Sequence, residues 1–416
     1  MHTVHQSSGT RSHAPGHPGV FKDGRLHKEA CTFINRGLVD RGVAMNTALT
    51  AARALVSWFD FCEAIGVEWA FASEDELILF RDAHLNGISS TTGQNYSPST
   101  ARTRMIYIVQ FCRFAYAQNW MSHAISVPNF GVGAYKVPID SDMLAHTRKG
   151  ASGWGVRTAD GFLPKVPKDD KIRVMRKGEL AAFLACAGPR PSMREVGDVT
   201  GCDRDRILVD LGWAAGLRAD EKHKLTVVSF STMVVENDSD IFKLRVIGKG
   251  SKARQVEIEG WLVRDVQAYI DGARSYVLRS RGHRSNETAL FLNVERAGAK
   301  TRVGRPSTKG ALQHRVTKLC IDAGLVDNVE KLDPVTGHRY VATVPRFSDH
   351  CLRHTYAVMT FHNMRAANYS DTEAWKYIQY QLGHEHLATT IETYLRHVSA
   401  WSRTRSSNAL LGMVQR

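Results

Sequence analysis

The chain has 416 residues, a length that suits two domains better than one. Its 43% of hydrophobic residues is normal for a globular protein, and no run of about 18 apolar residues predicts a membrane span. The formal net charge of +14 favours a polyanionic partner such as nucleic acid, although the same charge can serve solubility alone.

The first part of the chain predicts a polar start followed by a helical domain. Residues 1–40 are interpreted as a flexible extension without the apolar segment of a signal peptide, so we expect a cytoplasmic protein. Residues 41–127 predict a small helical domain from apolar residues at helical spacing. Ser73-Glu-Asp-Glu76 is a capping box that begins one helix, and Ser97-Pro98 begins another.

Basic residues lie on the second of these helices, namely Arg102, Arg104 and Arg113. A basic helix face is usually solvated, but it can also follow DNA phosphates. Both interpretations stay open for these three arginines.

The second part of the chain predicts a linker, a larger domain and a tail. Periodicity fades over 128–172, where Gly and Pro accumulate, and this segment is interpreted as an interdomain linker. Residues 173–400 predict a mainly helical domain, followed by a tail at 401–416. Runs rich in Val, Ile, Thr and Phe predict a small antiparallel sheet within that domain, with strands at Leu225–Phe230, Thr232–Val235, Ile241–Ile247 and Gln255–Glu259. From about 261 onward the pattern returns to helix.

Seven cysteines are scattered along the chain, and no two of them form a Cys-x-x-Cys pair. An odd number without paired spacing argues against a disulfide framework and against a structural zinc site. We therefore expect no metal, and we expect most of the cysteines to be small buried residues.

Two basic motifs of the larger domain follow glycines. Gly216-Leu-Arg218 ends a helix, and Glu221 lies three residues after the arginine, where it can hold the guanidinium. Ile247-Gly-Lys249-Gly-Ser-Lys252 is a tight hairpin that projects Lys249 from its tip. Taken singly, such an Arg–Glu pair is usually structural, and such a lysine is usually solvated.

Three further motifs lie near the C-terminus. His350-Cys-Leu-Arg353 places an imidazole and a guanidinium on one helix face, and this pairing suits a phosphoryl group. The neighbouring His354 is interpreted as a packing residue. Leu382-Gly-His384 ends a helix with another imidazole, and Tyr394 follows ten residues later on a helix.

The order and spacing of these motifs resemble the catalytic domain of tyrosine recombinases of the phage-integrase kind. The resemblance covers roughly 175–400, and the helical unit before the linker is similar to that family's small DNA-binding domain by pattern only. It implies a two-domain DNA clamp, mainly α, with the small antiparallel sheet in the catalytic domain. Two departures are the ten residues from His384 to Tyr394, where many members have nine, and Asp349, where many have Pro.

Carried over residue by residue, the resemblance implies a site that cleaves and rejoins DNA strands. Tyr394 would attack a phosphodiester and form a 3′-phosphotyrosyl link. Arg218 and Arg353 would hold the nonbridging oxygens, where their charge counts most in the transition state, and Glu221 would support them. No metal, ATP or other cofactor is required by this chemistry.

The remaining implied roles concern protons and DNA contacts. Lys249 would protonate the leaving 5′ oxygen as a general acid, and His350 would manage the tyrosine proton. His384 would hydrogen-bond the phosphate. Lys252, at the end of the same hairpin as Lys249, would contact DNA.

The resemblance also implies partners and a setting. The implied partner is double-stranded DNA at specific recombination sites, with accessory proteins as an option. The protein would assemble as a homotetramer on two sites and would act in the cytoplasm near the chromosome or nucleoid. The motifs do not distinguish integration, excision, inversion and dimer resolution, and transposition of a mobile element is compatible with them. The apolar end of the tail, Ala409–Val414, can dock on a neighbouring subunit or pack on its own domain.

Three other functions are compatible with parts of this sequence. A type IB topoisomerase uses the same chemistry without exchanging partners, but the helical unit and Leu-Gly-His favour a recombinase. A catalytically silent DNA-binding regulator on the same fold would not need to keep every catalytic group. A metal-dependent transposase or nuclease would need clustered carboxylates, and we find no convincing cluster in the sequence.

Overall fold

The computed structural model divides the chain into two compact units. The first comprises Met1–Asp169 with Glu330–Val341, and the second comprises Asp170–Val329 with Ala342–Arg416. The structure describes residues 1–7, 16–89, 92–125, 163–166, 172–194, 203–248, 250, 252–280, 287–294 and 303–399. The predicted linker at 128–172 lies outside these residues except for 163–166 and 172, and the predicted tail at 401–416 lies outside them entirely.

The first unit is built around the long helices α2 (Met45–Ala64), α3 (Glu74–Asn86) and α4 (Pro98–Ala117). Ala48, Leu55 and Phe59 recur at helical spacing on α2, and all three are buried. The predicted capping box is confirmed, because the Ser73 hydroxyl accepts from the backbone of α3 while Glu76 accepts from the Ser73 backbone N–H.

Residues 1–40 do not form the flexible extension that the sequence suggested. Their described part contains an antiparallel sheet in which His2 lies opposite Lys22, built from β1 (His2–Gln6), β2 (Pro18–Lys22) and β3 (Arg25–Leu26). The short helix α1 (Lys28–Thr32) and a π-helical turn at Phe33–Leu38 follow the sheet.

The apolar residues of this segment explain the error. Val20, Phe33 and Ile34 are fully buried in the core of the first unit. The Phe33 ring meets the edge of the Phe111 ring at 5.7 Å between centroids. The segment is mostly polar, so its few apolar side chains did not indicate a folded structure. Burial of these side chains against α2 and α4 stabilises the segment.

The second unit is mainly helical, with α11 packed against both α6 and α12. An added Cβ at Gly212 on α6 would lie 2.8 Å from the Leu352 Cδ1 on α11, so the bare backbone allows this close approach. The helices are α5 (Lys177–Ala187), α6 (Asp203–Trp213), α7 (Ala219–His223), α8 (Gly260–Tyr269), α9 (Ser275–Ser280), α10 (Lys309–Asp322), α11 (Asp349–Ala366), α12 (Asp371–Leu382) and α13 (387–399).

A two-stranded antiparallel sheet interrupts these helices. Strand β4 (Ile241–Ile247) pairs with β5 (Ala253–Glu259), and Ile241 lies opposite Glu259. Leu244, Val246 and Val256 of this sheet are buried in the core. Of the predicted strands at Leu225–Phe230 and Thr232–Val235, only an isolated antiparallel bridge between Thr226 and Ala289 is present. The remainder of the prediction is wrong, because the chain there forms local turns, such as the bond from the Phe230 N–H to the Val227 carbonyl at 3.1 Å.

A second two-stranded sheet lies where the sequence analysis expected helix. It is formed by β6 (Val326–Leu332) and β7 (Arg339–Pro345). The connecting turn is closed by the Asp333 N–H, which donates to the His338 carbonyl at 2.8 Å. The Asp-Pro-Val-Thr-Gly sequence between the strands was the available hairpin signal.

No helix among the described residues is long and apolar enough to cross a membrane.

Candidate active site

A guanidinium–carboxylate pair marks the start of α7. Gly216 has a φ of +65°, a conformation that glycine adopts easily, and it turns the backbone after α6. Arg218 is the N-cap residue of α7. The Glu221 carboxylate accepts from the Arg218 backbone N–H at 2.8 Å and from its Nη1 at 3.1 Å. The Arg218 side chain is half-buried while that of Glu221 is fully buried, so the carboxylate fixes an arginine that still reaches solvent.

The Arg353 side chain on α11 is almost completely buried. Its Nη1 donates to the Gly216 carbonyl at 2.7 Å, and its Nη2 donates to the Leu382 carbonyl. The Glu221 carboxylate lies 3.8 Å from Nη1. Burial and the nearby Arg218 charge lower the pKa of Arg353. This guanidinium therefore ties together the loop before α7 and the end of α12.

The sequence analysis missed Arg254, which lies on β5. Its Nη2 donates to Glu221 Oε2 at 3.0 Å, its Nη1 donates to the other oxygen, and its Nε donates to the Gln381 carbonyl at 3.2 Å. Burial alone would raise the pKa of Glu221, but the hydrogen bonds and charge of Arg254 outweigh burial and lower it. One ionised carboxylate thus organises Arg218, Arg254 and Arg353. The available signal was a basic residue two positions after Lys252, near the start of strand β5.

Tyr394, on α13, lies among imidazole rings. Its hydroxyl is 3.0 Å from Nδ1 of His354, and both side chains are buried. The His384 ring lies nearly parallel to the tyrosine ring, with 6.3 Å between centroids, and its Nδ1 contacts the Thr390 hydroxyl at 2.8 Å. His350 is exposed and packs edge-on against His354 at 4.4 Å. The imidazole that meets the tyrosine hydroxyl is thus His354, which the sequence analysis treated as packing.

The electrostatics of these groups follow from burial beside fixed cations. Burial raises the pKa of Tyr394 to about 12, although Arg353 and Arg218 oppose the rise. Burial and Arg353 lower the pKa of His384 to about 4. Partial desolvation and Arg353 also lower the pKa of His350. The imidazoles are therefore neutral and the phenol is protonated near pH 7.

The hairpin lysines are only partly described. Lys249 lies outside the described residues. The preceding Gly248 donates its N–H to the Lys252 carbonyl at 2.9 Å and closes the turn. An added Cβ at Gly248 would lie 3.3 Å from Glu221 Oε1, so this end of the hairpin is beside the arginine cluster. The Lys252 side chain is exposed.

The three arginines predicted to contact DNA lie on α4 of the first unit, and all are half-buried. Arg102 donates to the Pro164 carbonyl at 3.2 Å. Arg104 contacts His84 Nε2 at 2.6 Å and covers the face of the Tyr96 ring. Burial lowers the pKa of Arg113. Contacts within the protein thus occupy Arg102 and Arg104 in this structure, and DNA binding by these residues stays a prediction.

A buried ion pair links α7 to α11. The Lys222 ammonium is fully buried and bonds Asp349, which is itself 5% exposed, as well as the Leu208 carbonyl at 3.0 Å. Asp349 occupies the first turn of α11, where a negative charge is favoured by the helix dipole. The residue that departs from the family pattern therefore has a partner that the sequence analysis did not identify.

Among the described residues, one group brings three ligand atoms close enough to hold a metal ion, namely His2, Asp60 and Glu63 in the first unit. His2 Nδ1 lies 2.9 Å from Asp60 Oδ1, and Glu63 forms an ion pair with Lys22. These contacts within the protein account for the cluster.

Comparison with known proteins gives the following similarities. No family model matches the chain. The chain is 28% identical over 200 residues to tyrosine recombinase XerC of Roseiflexus castenholzii, covering 47% of this chain and 49% of that protein. It is 23% identical over 320 residues to tyrosine recombinase XerD of Bifidobacterium longum, covering 73% and 87%. It is 30% identical over 193 residues to XerC of Vibrio cholerae, covering 46% and 47%.

Solved structures give a weaker likeness. A DNA-bound XerH recombinase superimposes with a TM-score of 0.49 and 17% identity, covering 88% of this chain and 81% of that one. A λ integrase fragment on a core site gives 0.49 and 11%, covering 88% and 94%. The matches to the two XerC proteins span about half of those proteins' length. The XerC and XerD proteins that the chain resembles in sequence are tyrosine recombinases.

Proposed function

We propose that this chain is a site-specific DNA recombinase of the integrase type, which cleaves and rejoins DNA through a 3′-phosphotyrosyl intermediate without metal or ATP. The observation that carries the proposal is the cluster of Arg353, His354 and His384 around the buried Tyr394. A cluster of guanidinium and imidazole groups beside a phenol suits phosphodiester chemistry, because it combines charge stabilisation with proton transfer at one place. The XerC and XerD relatives support the same reaction.

In the proposed reaction, the Tyr394 oxygen bonds to the phosphorus of a DNA phosphodiester, and the bond from phosphorus to the 5′ oxygen breaks. Arg218 and Arg353 stabilise the negative charge that builds on the nonbridging oxygens. Lys249 supplies the proton that the leaving 5′ oxygen takes, and His384 hydrogen-bonds the phosphate. A 5′-hydroxyl of a partner strand then attacks the phosphotyrosine and releases Tyr394, so the bond energy is retained.

Tyr394 is not ionised in the resting chain, because burial raises its pKa to about 12. A rise of two units above the ordinary value of 10.0 adds about 3 kcal/mol to the cost of forming the phenolate. That cost already includes the opposing charge of Arg218 and Arg353, so the phenol needs a proton acceptor as its oxygen attacks. His350, whose exposed ring lies near Arg353, is proposed to accept the proton as attack proceeds.

The proposed partner is double-stranded DNA at specific recombination sites, bound by both units as a clamp. We propose a homotetramer on two sites, with accessory proteins as an option, acting near the chromosome. The net charge of +14 supports a polyanionic partner. The exposed Lys252 is proposed to contact the phosphate backbone, as are the three arginines of α4 if DNA displaces their present partners.

The proposal is tested with a nicked duplex taken from the DNA that flanks the gene, incubated with the protein in the presence of a chelator. We expect a slow covalent protein–DNA band on a denaturing gel for wild type and none for Tyr394→Phe, with DNA binding retained by both. A band that survives in Tyr394→Phe would show that the nucleophile is another residue. A band that disappears with chelator would indicate a metal-dependent nuclease.

A further inference from the structure

The His354–Tyr394 contact joins two buried polar groups on different helices of the second unit. His354 is 7% exposed and Tyr394 is 1% exposed. The Nδ1–Oη distance of 3.0 Å is that of a hydrogen bond, and the two ring centroids are 5.5 Å apart. Among the described residues, no other hydrogen-bond partner of this hydroxyl is found. A buried hydroxyl without a hydrogen-bond partner destabilises a fold, so this hydrogen bond contributes to the stability of the second unit.

The direction of the hydrogen bond follows from the charge state of the imidazole. Burial, the neighbouring His350 and the charge of Arg353 lower the pKa of His354 to about 3, with smaller contributions from His397 and His384. A neutral imidazole carries one proton, and the tautomer with that proton on Nε2 leaves Nδ1 free to accept from the phenol. The Tyr394 oxygen then keeps its own lone pairs available for a phosphorus atom.

We propose that His354 is a positioning residue for the nucleophile: by accepting the hydrogen bond from the Tyr394 hydroxyl, it fixes the oxygen beside Arg353 before DNA is cut. This inference rests on the proposed function. It gives His354 a role separate from that of His350. The geometry is what a positioning role requires, since α11 carries both Arg353 and His354 and so sets the distance from the guanidinium to the phenol.

His354 holds the phenol O–H in the resting chain and does not take its proton, which passes to His350 after the O–H turns away from His354 as attack begins. The pKa of Tyr394 is about 12 and that of His354 about 3, so transfer between them is strongly unfavourable in this arrangement. A residue with this role can be replaced by any side chain that accepts a hydrogen bond at the same point. An asparagine oxygen lies close to the position of a histidine Nδ1, whereas leucine fills similar space without an acceptor.

The experiment compares His354→Asn and His354→Leu with wild type, and uses His362→Asn as a matched control about two turns further along α11. Single-turnover formation of the covalent adduct is measured on the nicked duplex. We expect adduct formation by the Asn variant to remain within about threefold of wild type and that by the Leu variant to fall at least about tenfold, with equal DNA binding. Only the Leu variant should melt at a lower temperature, because it leaves the buried Tyr394 hydroxyl without an acceptor. The control should match wild type.

Other outcomes overturn the inference. A Leu variant that cleaves like wild type would show that the contact does not position the nucleophile. An equal loss in the Asn and Leu variants would show that a hydrogen-bond acceptor is not sufficient, and would indicate that His354 takes the proton.

A second readout separates this inference from the proposed function. The ¹⁹F resonance of 3-fluorotyrosine at position 394, assigned by its loss in Tyr394→Phe, is recorded without DNA. We expect this resonance to move in the Leu variant and to stay near the wild-type position in the Asn variant. If wild type forms no adduct, the proposed function fails, whereas the resonance still shows whether His354 holds the tyrosine. A resonance unchanged in both variants contradicts the contact itself.

Discussion

Replacing Lys222 by methionine removes the cation of a buried ion pair and keeps most of the side-chain volume. Lys222 is fully buried, its Asp349 partner is 5% exposed, and the ammonium also bonds the Leu208 carbonyl. The variant would leave a buried carboxylate without its counter-charge, which typically costs about 3–5 kcal/mol. We therefore expect the unfolding free energy of the second unit to fall by about 4 kcal/mol.

Urea unfolding followed by circular dichroism measures this loss, with two matched comparisons. Lys318→Met breaks an ion pair whose lysine is 52% exposed, and we expect it to cost less than about 1 kcal/mol. The double variant Lys222→Met with Asp349→Leu removes both charges together, and we expect it to recover most of the loss, because no charge is then left unpaired.

A result for Lys222→Met as small as that of Lys318→Met would refute the reasoning, because it would mean that water or a shift in protonation relieves the unpaired carboxylate. Failure of the double variant to recover would show that packing, not charge, sets the cost. The pair joins α7, which begins after Arg218, to the start of α11, so we also expect Lys222→Met to slow strand cleavage.

Three further predictions concern the same unit. We expect Arg353→Lys to slow adduct formation by about 100-fold in a single-turnover assay, because an ammonium does not reproduce the fork that bridges two backbone carbonyls; a near-normal rate would contradict the clamp role. We expect Gly383→Ala to destabilise the protein by at least about 1 kcal/mol, because its φ is +62° and an added Cβ would lie 2.6 Å from the Cδ of Arg254. Gly310→Ala, in a helix with open space around it, should be neutral or stabilising, and equal urea midpoints for the two alanine variants would refute the steric argument. Finally, the folded pKa values of His354 and His384, about 3 and about 4, lie below the unfolded value near 6.5, so the unfolded chain binds more protons as the pH falls below 6.5. Stability should decrease from about pH 7.5 to about pH 5, and this decrease should be smaller in His354→Asn; an identical decrease would show that His354 does not remain neutral.

The sequence by itself determined features that depend on neighbouring residues. The capping box at Ser73–Glu76, the Ser97-Pro98 helix start and the strand Ile241–Ile247 are all present in the structure. Each depends on local hydrogen bonds or on a short hydrophobic period, and a single sequence displays both. The order of the catalytic motifs was sufficient to indicate the family, because it requires only chemistry-bearing residues at known intervals.

Only the tertiary structure decided which side chains meet. The Arg254–Glu221, His354–Tyr394 and Lys222–Asp349 pairs join residues 33, 40 and 127 positions apart. No local rule connects such residues, because their distance is set by how the helices pack in the core. The prediction of a flexible extension at 1–40 failed for the same reason, since the apolar residues of this segment are stabilised by burial in the core of the first unit and not by their own propensity. The sequence therefore identified the chemical groups, and the packing of α11 against its neighbours decided that the tyrosine hydroxyl meets His354.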